Sequence, residues 1–257
     1  MIFKGKGDPL DCMKYKGLRL FEHSMKIFEK LLDDKIRRIV EIGDCQFGFR
    51  KCKSCTDAIF ITRTLQAKYL EKKRKLYHVF VDLEKAFDRI PRKAITWALR
   101  RQGVPERLIR LVMMLYNGSR SRIRVAGGLS DEFEIGVGVH QGSVLSPLLF
   151  ILIMEEATKS CASGGPWELL YADDLVLTAE SKTELERKFR EWKSHMEDRG
   201  LKVNIEKTKF MITGDDEAEP VEMGEYPCGV CGRGVRENSI LCVRCQKWCH
   251  KRCSRLR

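Results

Sequence analysis

The stretch that decides the fold is Trp167 to Ala179, WELLYADDLVLTA, two apolar runs separated only by Ala172, Asp173 and Asp174. Such runs joined over so short a gap predict a β-hairpin with two carboxylates at its tip. Adjacent aspartates repel and raise each other's pKa, a cost that a bound cation removes. A polar β-turn also takes aspartate readily, so the pair alone is compatible with a plain turn. Upstream, Leu76 to Leu83, LYHVFVDL, reads as a buried strand delivering Asp82 at its end. If the two strands are neighbours in one sheet, Asp82, Asp173 and Asp174 meet. Three carboxylates so placed suit two magnesium ions about 3.5 to 4 Å apart, one activating an attacking hydroxyl and the other stabilising a leaving pyrophosphate.

The segments around these strands supply the rest of a domain. Phe21, Met25, Phe28, Leu32, Ile36 and Ile39 recur three or four residues apart, which predicts one apolar stripe of an amphipathic helix. Thr56 to Leu70 reads as a second helix, and Pro91 opens a third. SRIRV and DEFEIGV, around Gly127 and Gly128, predict a hairpin with Arg120, Arg122 and Arg124 on one face. Ser146 and Pro147 read as N-cap and first residue of a helix that is apolar all round, LLFILIM, and so belongs under the sheet. Ser181 with Glu184 forms a capping box. Leu185, Phe189, Trp192 and Met196 then follow at helical spacing up to Gly200, and KFMIT supplies a last strand. Gly214 to Tyr226 holds six acids and no basic residue and reads as a flexible linker.

Composition narrows the function. The 257 residues are 43% hydrophobic and 33% charged, and the longest apolar run, Val144 to Met154, is broken by Ser146 and Pro147. That is well short of the roughly 20 residues that cross a bilayer, and Met1 to Leu10 lacks an apolar signal core. An intracellular protein, nuclear or cytoplasmic, without a membrane partner is expected. Net charge is +12, concentrated in Arg50 to Lys53, Lys68 to Lys75, Arg120 to Arg124 and an acid-free stretch from Val243 to Arg257. Clusters of this kind guide polyanions, which points to nucleic acid.

FVDLEKAFDRI, HQGSVLSP, YADDLVL and GLKVNIEKTK occur in the order and spacing of the palm motifs of reverse transcriptases, and resemble most those of non-long-terminal-repeat retrotransposons. The resemblance covers about residues 12 to 213 and implies an α+β fold, a right-hand polymerase core with a fingers region at 1–75 and a palm at 76–213. It implies an RNA-directed DNA polymerase, a nucleotidyltransferase that adds deoxynucleotides to a DNA primer on an RNA template with two magnesium ions. Carried over by position, Asp82, Asp173 and Asp174 are the metal carboxylates. Leu83 and Phe87 lie at the nucleotide, Phe87 as the aromatic that collides with a ribose 2'-hydroxyl. Gln141 and Gly142 lie along the incoming nucleotide, and Lys207 protonates departing pyrophosphate. Lys16, in Tyr15–Lys16–Gly17, replaces the arginine of the family's YRP or YRG; a cation is kept but the bidentate fork is lost. QFGFRKCKSCTDAIF resembles the family's QxGFxxGRSTTDA but carries Cys52, Lys53 and Cys55 for glycine, arginine and threonine, with Lys53 still a nucleotide contact. A thumb and an endonuclease are not found, and a degenerate retroelement remnant acting as a zinc-containing binding module is the alternative. Oligomeric state is not legible.

Six of the eleven cysteines fall in the last thirty residues. Cys228xxCys231, Cys242xxCys245 and His250xxCys253 form a zinc pattern, since each knuckle offers two ligands to one side of a tetrahedral ion. The pattern, at 227–257, resembles a truncated plant homeodomain finger, which implies that Cys228, Cys231, His250 and Cys253 share one zinc. Cys242 and Cys245 then belong to a second, incomplete site whose final CxxC is absent. A single zinc held by the four CxxC thiolates is the other arrangement, so one zinc is expected and a second is open. Cys52 and Cys55 form a further CxxC with no second pair nearby.

Overall fold

The computed structural model describes residues 2–3, 15–16, 21–122, 124–125, 128–161, 164–214, 239–241 and 248–250. The chain divides into two units, Met1–Gly214 and Asp215–Arg257. In the first, β1 (Ile2–Phe3), β2 (Tyr15–Lys16), α1 (His23–Arg37) and α2 (Cys55–Glu71) precede β3 (Leu76–Val81), α3 (Ala86–Arg89), α4 (Arg92–Arg101) and α5 (Glu106–Met114). Short strands β4 (Arg120–Ser121), β5 (Arg124–Val125), β6 (Gly128–Leu129) and β7 (Phe133–Glu134) follow. Then come α6 (Ser146–Thr158), β8 (Glu168–Tyr171), β9 (Asp174–Ala179), α7 (Lys182–Glu197) and β10 (Lys209–Thr213). In the second unit, β11 (Ser239–Leu241) pairs antiparallel with β12 (Trp248–His250).

The centre is a four-stranded antiparallel sheet in the order β10-β3-β9-β8. Val79 and Val81 on β3, with Leu175 and Leu177 on β9, turn one face into a core they share with α4, α6 and α7. Helix α6 is buried on all sides, which is why its sequence carries no polar stripe. Helix α2, outside the core, starts on a full capping box. The Ser54 backbone N–H donates to Asp57 Oδ2 at 2.7 Å, and the Asp57 N–H donates to Ser54 Oγ at 3.3 Å.

At Ser181 only half of the expected capping box forms, the Glu184 N–H donating to Ser181 Oγ at 3.2 Å, and the structure departs from the sequence expectations in four further places. In α1 the buried residues are Glu29, Leu32, Asp33 and Ile36, whereas Met25 and Phe28 are each 39% exposed. The buried face turns toward polar partners, because Arg37 Nε bonds Asp33 at 2.9 Å and Glu29 accepts from a distant backbone amide. Leu145, not Ser146, is the N-cap of α6; the Ser143 hydroxyl accepts from the Leu145 and Ser146 amides at 3.1 and 3.2 Å. The acidic hairpin turns on two residues, Ala172 and Asp173, since Asp174 already pairs with Tyr171. Strand pairings β4–β7 and β5–β6 make the expected basic hairpin, but Arg120 and Arg122 both pair with Glu132 at 3.2 Å, so part of its charge is neutralised.

Candidate active site

Strands β3 and β9 are hydrogen-bonded neighbours, with Val81 opposite Leu175. Continuing that register by one residue sets Asp82, just past β3, across from Asp174, the first residue of β9. Asp173 sits beside them in the turn. The crowding is electrostatic as well as geometric: Asp174 is held above the usual carboxylate range by partial loss of water, then by the charges of Asp173 and Asp82. Asp82 Oδ2 is buried without a hydrogen-bond partner, and its nearest cation is Lys207 Nζ at 3.6 Å.

Lys207 reaches Asp82 through backbone pairing. Leu83 and Val203 form an antiparallel bridge, the Glu84 N–H donates to Lys202 O at 2.8 Å, and the Asn204 N–H donates to Asp82 O at 2.8 Å. Asn204 then turns the chain, its Oδ1 accepting from the Lys207 N–H at 3.3 Å. Leu83 itself is 5% exposed and its side chain belongs to the core, so any nucleotide contact there falls to its backbone.

The segment Val137 to Gln141 runs beside Phe87 to Pro91. The Val139 N–H donates to Phe87 O and the Gly138 N–H to Ile90 O, both at 2.8 Å. Gly138 has φ of +80°, and a Cβ there would stand 2.7 Å from Asp88 O, so only glycine allows this approach. The stitching brings Gln141 Nε2 to Asp88 Oδ1 at 2.6 Å and leaves Gln141 Oε1 buried without a partner. Gly142, exposed, follows with φ of +105°. Phe87 is half-buried, stacked on Phe150 with centroids 4.5 Å apart and edge-on to the exposed Phe49. From α1, Glu29 Oε2 accepts the Val144 N–H at 2.8 Å and anchors the same loop.

The loop before α2 uses its cations internally. Lys53 Nζ bonds Asp44 O at 2.6 Å and Asp44 Oδ1 at 3.0 Å and lies over the Phe47 ring, while Arg50 bonds Gly43 O at 2.6 Å. Lys16 lies on β2, with only its backbone described. Of the zinc candidates, Cys228, Cys231, Cys242, Cys245 and Cys253 lie outside the described residues, and of His250 only the backbone is described. Local sequence carries no signal for Glu29, Asp88 or Gln46, whose Oε1 accepts the Ala172 amide at 3.1 Å: Glu29 interrupts an apolar stripe, and the other two are ordinary polar residues within FVDLEKAFDRI and QFGFRKCKSCTDAIF.

A cleft of about 380 Å³ opens between α2 and the outer face of the sheet, lined by Ile59, Thr62, Phe80, Tyr171 and Asp174 among others. The donor set beside it is all carboxylate oxygen, the chemistry that hard divalent cations take. Among the described residues no three His, Cys, Asp or Glu are drawn into a closed ligand cluster. Nor, among the described residues, is any helix long and apolar enough to cross a membrane.

Comparison with known proteins agrees with this geometry. The chain is 24% identical over 202 residues to a retrovirus-related Pol polyprotein from the type-1 retrotransposable element R2 of Nasonia vitripennis, covering 76% of this chain and 20% of that protein. It is 27% identical over 190 residues to the RNA-directed DNA polymerase from mobile element jockey of Drosophila funebris, covering 70% and 21%. It thus spans about a fifth of these relatives' length. The telomerase of Candida tropicalis, solved with a fragment of telomeric RNA, shares the fold at a TM-score of 0.56 and 16% identity, over 82% of this chain and 36% of that one. The family model for reverse transcriptase (RNA-dependent DNA polymerase) matches residues 4–241, continuing past β10 through Cys228 and Cys231. With that match over most of the chain, and the acids of YADD and FVDL set side by side in one sheet, the chain belongs to the reverse transcriptase family.

Proposed function

We propose that this chain is the polymerase core of a non-long-terminal-repeat retrotransposon reverse transcriptase, extending a DNA primer on an RNA template. The observation that carries the proposal is the meeting of Asp82, Asp173 and Asp174 at one end of β3 and β9, with a buried carboxylate oxygen lacking a hydrogen bond and Lys207 beside it. The same observation favours a working polymerase over a degenerate remnant, because like charges are kept together at a cost a purely structural turn does not need.

Asp82, Asp173 and Asp174 would hold two magnesium ions. When bound, these supply Lewis-acid stabilisation of the attacking primer hydroxyl and of the departing pyrophosphate. Phe87, braced by Phe150, blocks a ribose 2'-hydroxyl. Gln141, oriented by Asp88, offers its unpartnered Oε1 to a donor on the nucleotide. Lys207 gives its proton to pyrophosphate as the bond from the α-phosphorus to the bridging oxygen breaks. Lys16 and Lys53 contact the triphosphate, Lys53 after release from Asp44.

The C-terminal unit is proposed as a zinc module of the plant homeodomain type. Its described strands pair Leu241 with Trp248 and Ser239 with His250, and the support for zinc is the Cys228xxCys231, Cys242xxCys245, His250xxCys253 spacing of the sequence. We also propose an intracellular location, supported by the short apolar runs of the sequence and by CxxC pairs that read as zinc ligands. Asp173→Asn tests the polymerase: primer extension should fall at least about a thousandfold while primer-template binding stays within about threefold. Equal activity in variant and parent would refute the carboxylate site.

A further inference from the structure

Gln46 lies in the fingers loop, 126 residues from the catalytic turn in sequence, yet its side chain is bonded to that turn. It is 1% exposed. Its Oε1 accepts two backbone amides, from Gly48 at 2.8 Å and from Ala172 at 3.1 Å. The backbone on either side is laced to β8: the Phe47 N–H donates to Leu170 O at 2.7 Å, and the Leu170 N–H donates to Cys45 O at 2.8 Å. Ala172 has φ of +58°, a conformation sparsely populated by residues with a Cβ, and it directly precedes Asp173. Such a conformation persists only where its surroundings over-determine it. Here the over-determination comes from the loop. Gly48 packs so closely that a Cβ on it would stand 2.3 Å from the Ala172 nitrogen.

We propose that Gln46 is a positioning residue for the metal carboxylates: its Oε1 holds the Ala172 amide, and through it fixes the direction in which Asp173 and Asp174 leave the turn. A neutral amide suits the task better than a carboxylate, since a buried charge there would face the three aspartates. The fingers loop and the acidic hairpin are thereby one rigid piece, and loosening it degrades ion binding before it degrades nucleotide contacts. The inference rests on the proposed role of the aspartates, and its test separates the two.

Gln46→Met keeps the volume and removes the acceptor. Manganese binding, followed by electron paramagnetic resonance without substrates, should weaken about tenfold, the usual effect of losing a group that orients a metal ligand. The kcat should fall by a similar factor, with the KM for deoxynucleotide within about twofold of the parent. Unchanged ion affinity and kcat in the folded variant, where Asp173→Asn does lose the ion, overturn the proposal. If Asp173→Asn keeps the ion, the carboxylate site is what fails. The hold on the turn is then judged by hydrogen exchange of the Ala172 amide in the unmodified protein. That amide should exchange as slowly as the amides of β9, and exchange at the rate of an open turn overturns the proposal. The same measurement decides if Gln46→Met does not fold.

Discussion

Acidification should loosen the contact between α2 and the sheet through one histidine. His78 sits in the middle of β3, fully buried, with its Nδ1 3.0 Å from Thr178 Oγ1 on β9 and its Nε2 3.4 Å from Gln66 Nε2 on α2. The Gln66 Nε2 nitrogen is a donor, so His78 Nε2 accepts from it and the ring proton on Nδ1 donates to Thr178. A second ring proton would meet the Gln66 NH2 as it is oriented, and its charge would be buried away from water. Burial accordingly lowers the pKa from 6.5 to about 4. With the folded value below the unfolded one, the stabilising contribution is complete above pH 6.5 and is lost as pH falls toward 4, where the unfolded chain binds the extra proton. At about pH 5 the loss through this residue is about 2 kcal/mol, from 1.36 kcal/mol per pKa unit. Urea unfolding near pH 7.5 and pH 5 measures it, with His78→Gln as the reference that cannot titrate. The parent should lose about 2 kcal/mol more than the variant over this interval. Equal losses would refute a neutral buried His78 and the contact built on it.

Two further outcomes follow from the sites. Phe87→Val should admit ribonucleotides at least about tenfold more readily relative to deoxynucleotides in single-nucleotide insertion. It should also cost about 1 to 3 kcal/mol of stability from the lost stack on Phe150; unchanged selectivity in a folded variant would make Phe87 a core residue only. Zinc counted after exhaustive dialysis of the full chain should come to about one per molecule, because one complete ligand set binds tightly and a pair of thiolates does not compete. A count of zero removes the proposed finger.

Much of this protein is legible in its sequence because the governing physics is local. Alternation marks β3, the turn between two apolar runs marks β8 and β9, and a run with no polar stripe marks α6 as the buried helix. Side chains respond to period and to neighbours a few residues away, so element type and the identity of YADD could be read directly. Which acids meet, and what holds them, was decided by the tertiary structure. Register sets Asp82 opposite Asp174, and the α1 face that is buried carries Glu29 and Asp33 instead of Met25 and Phe28. Backbone amides left over by turns must find acceptors once they are buried. For Val144 the acceptor comes from Glu29, 115 residues away, and for Ala172 from Gln46, 126 residues away. No local pattern encodes such a pairing, because each glutamate or glutamine is an ordinary polar residue until the fold closes water away from the amide it serves.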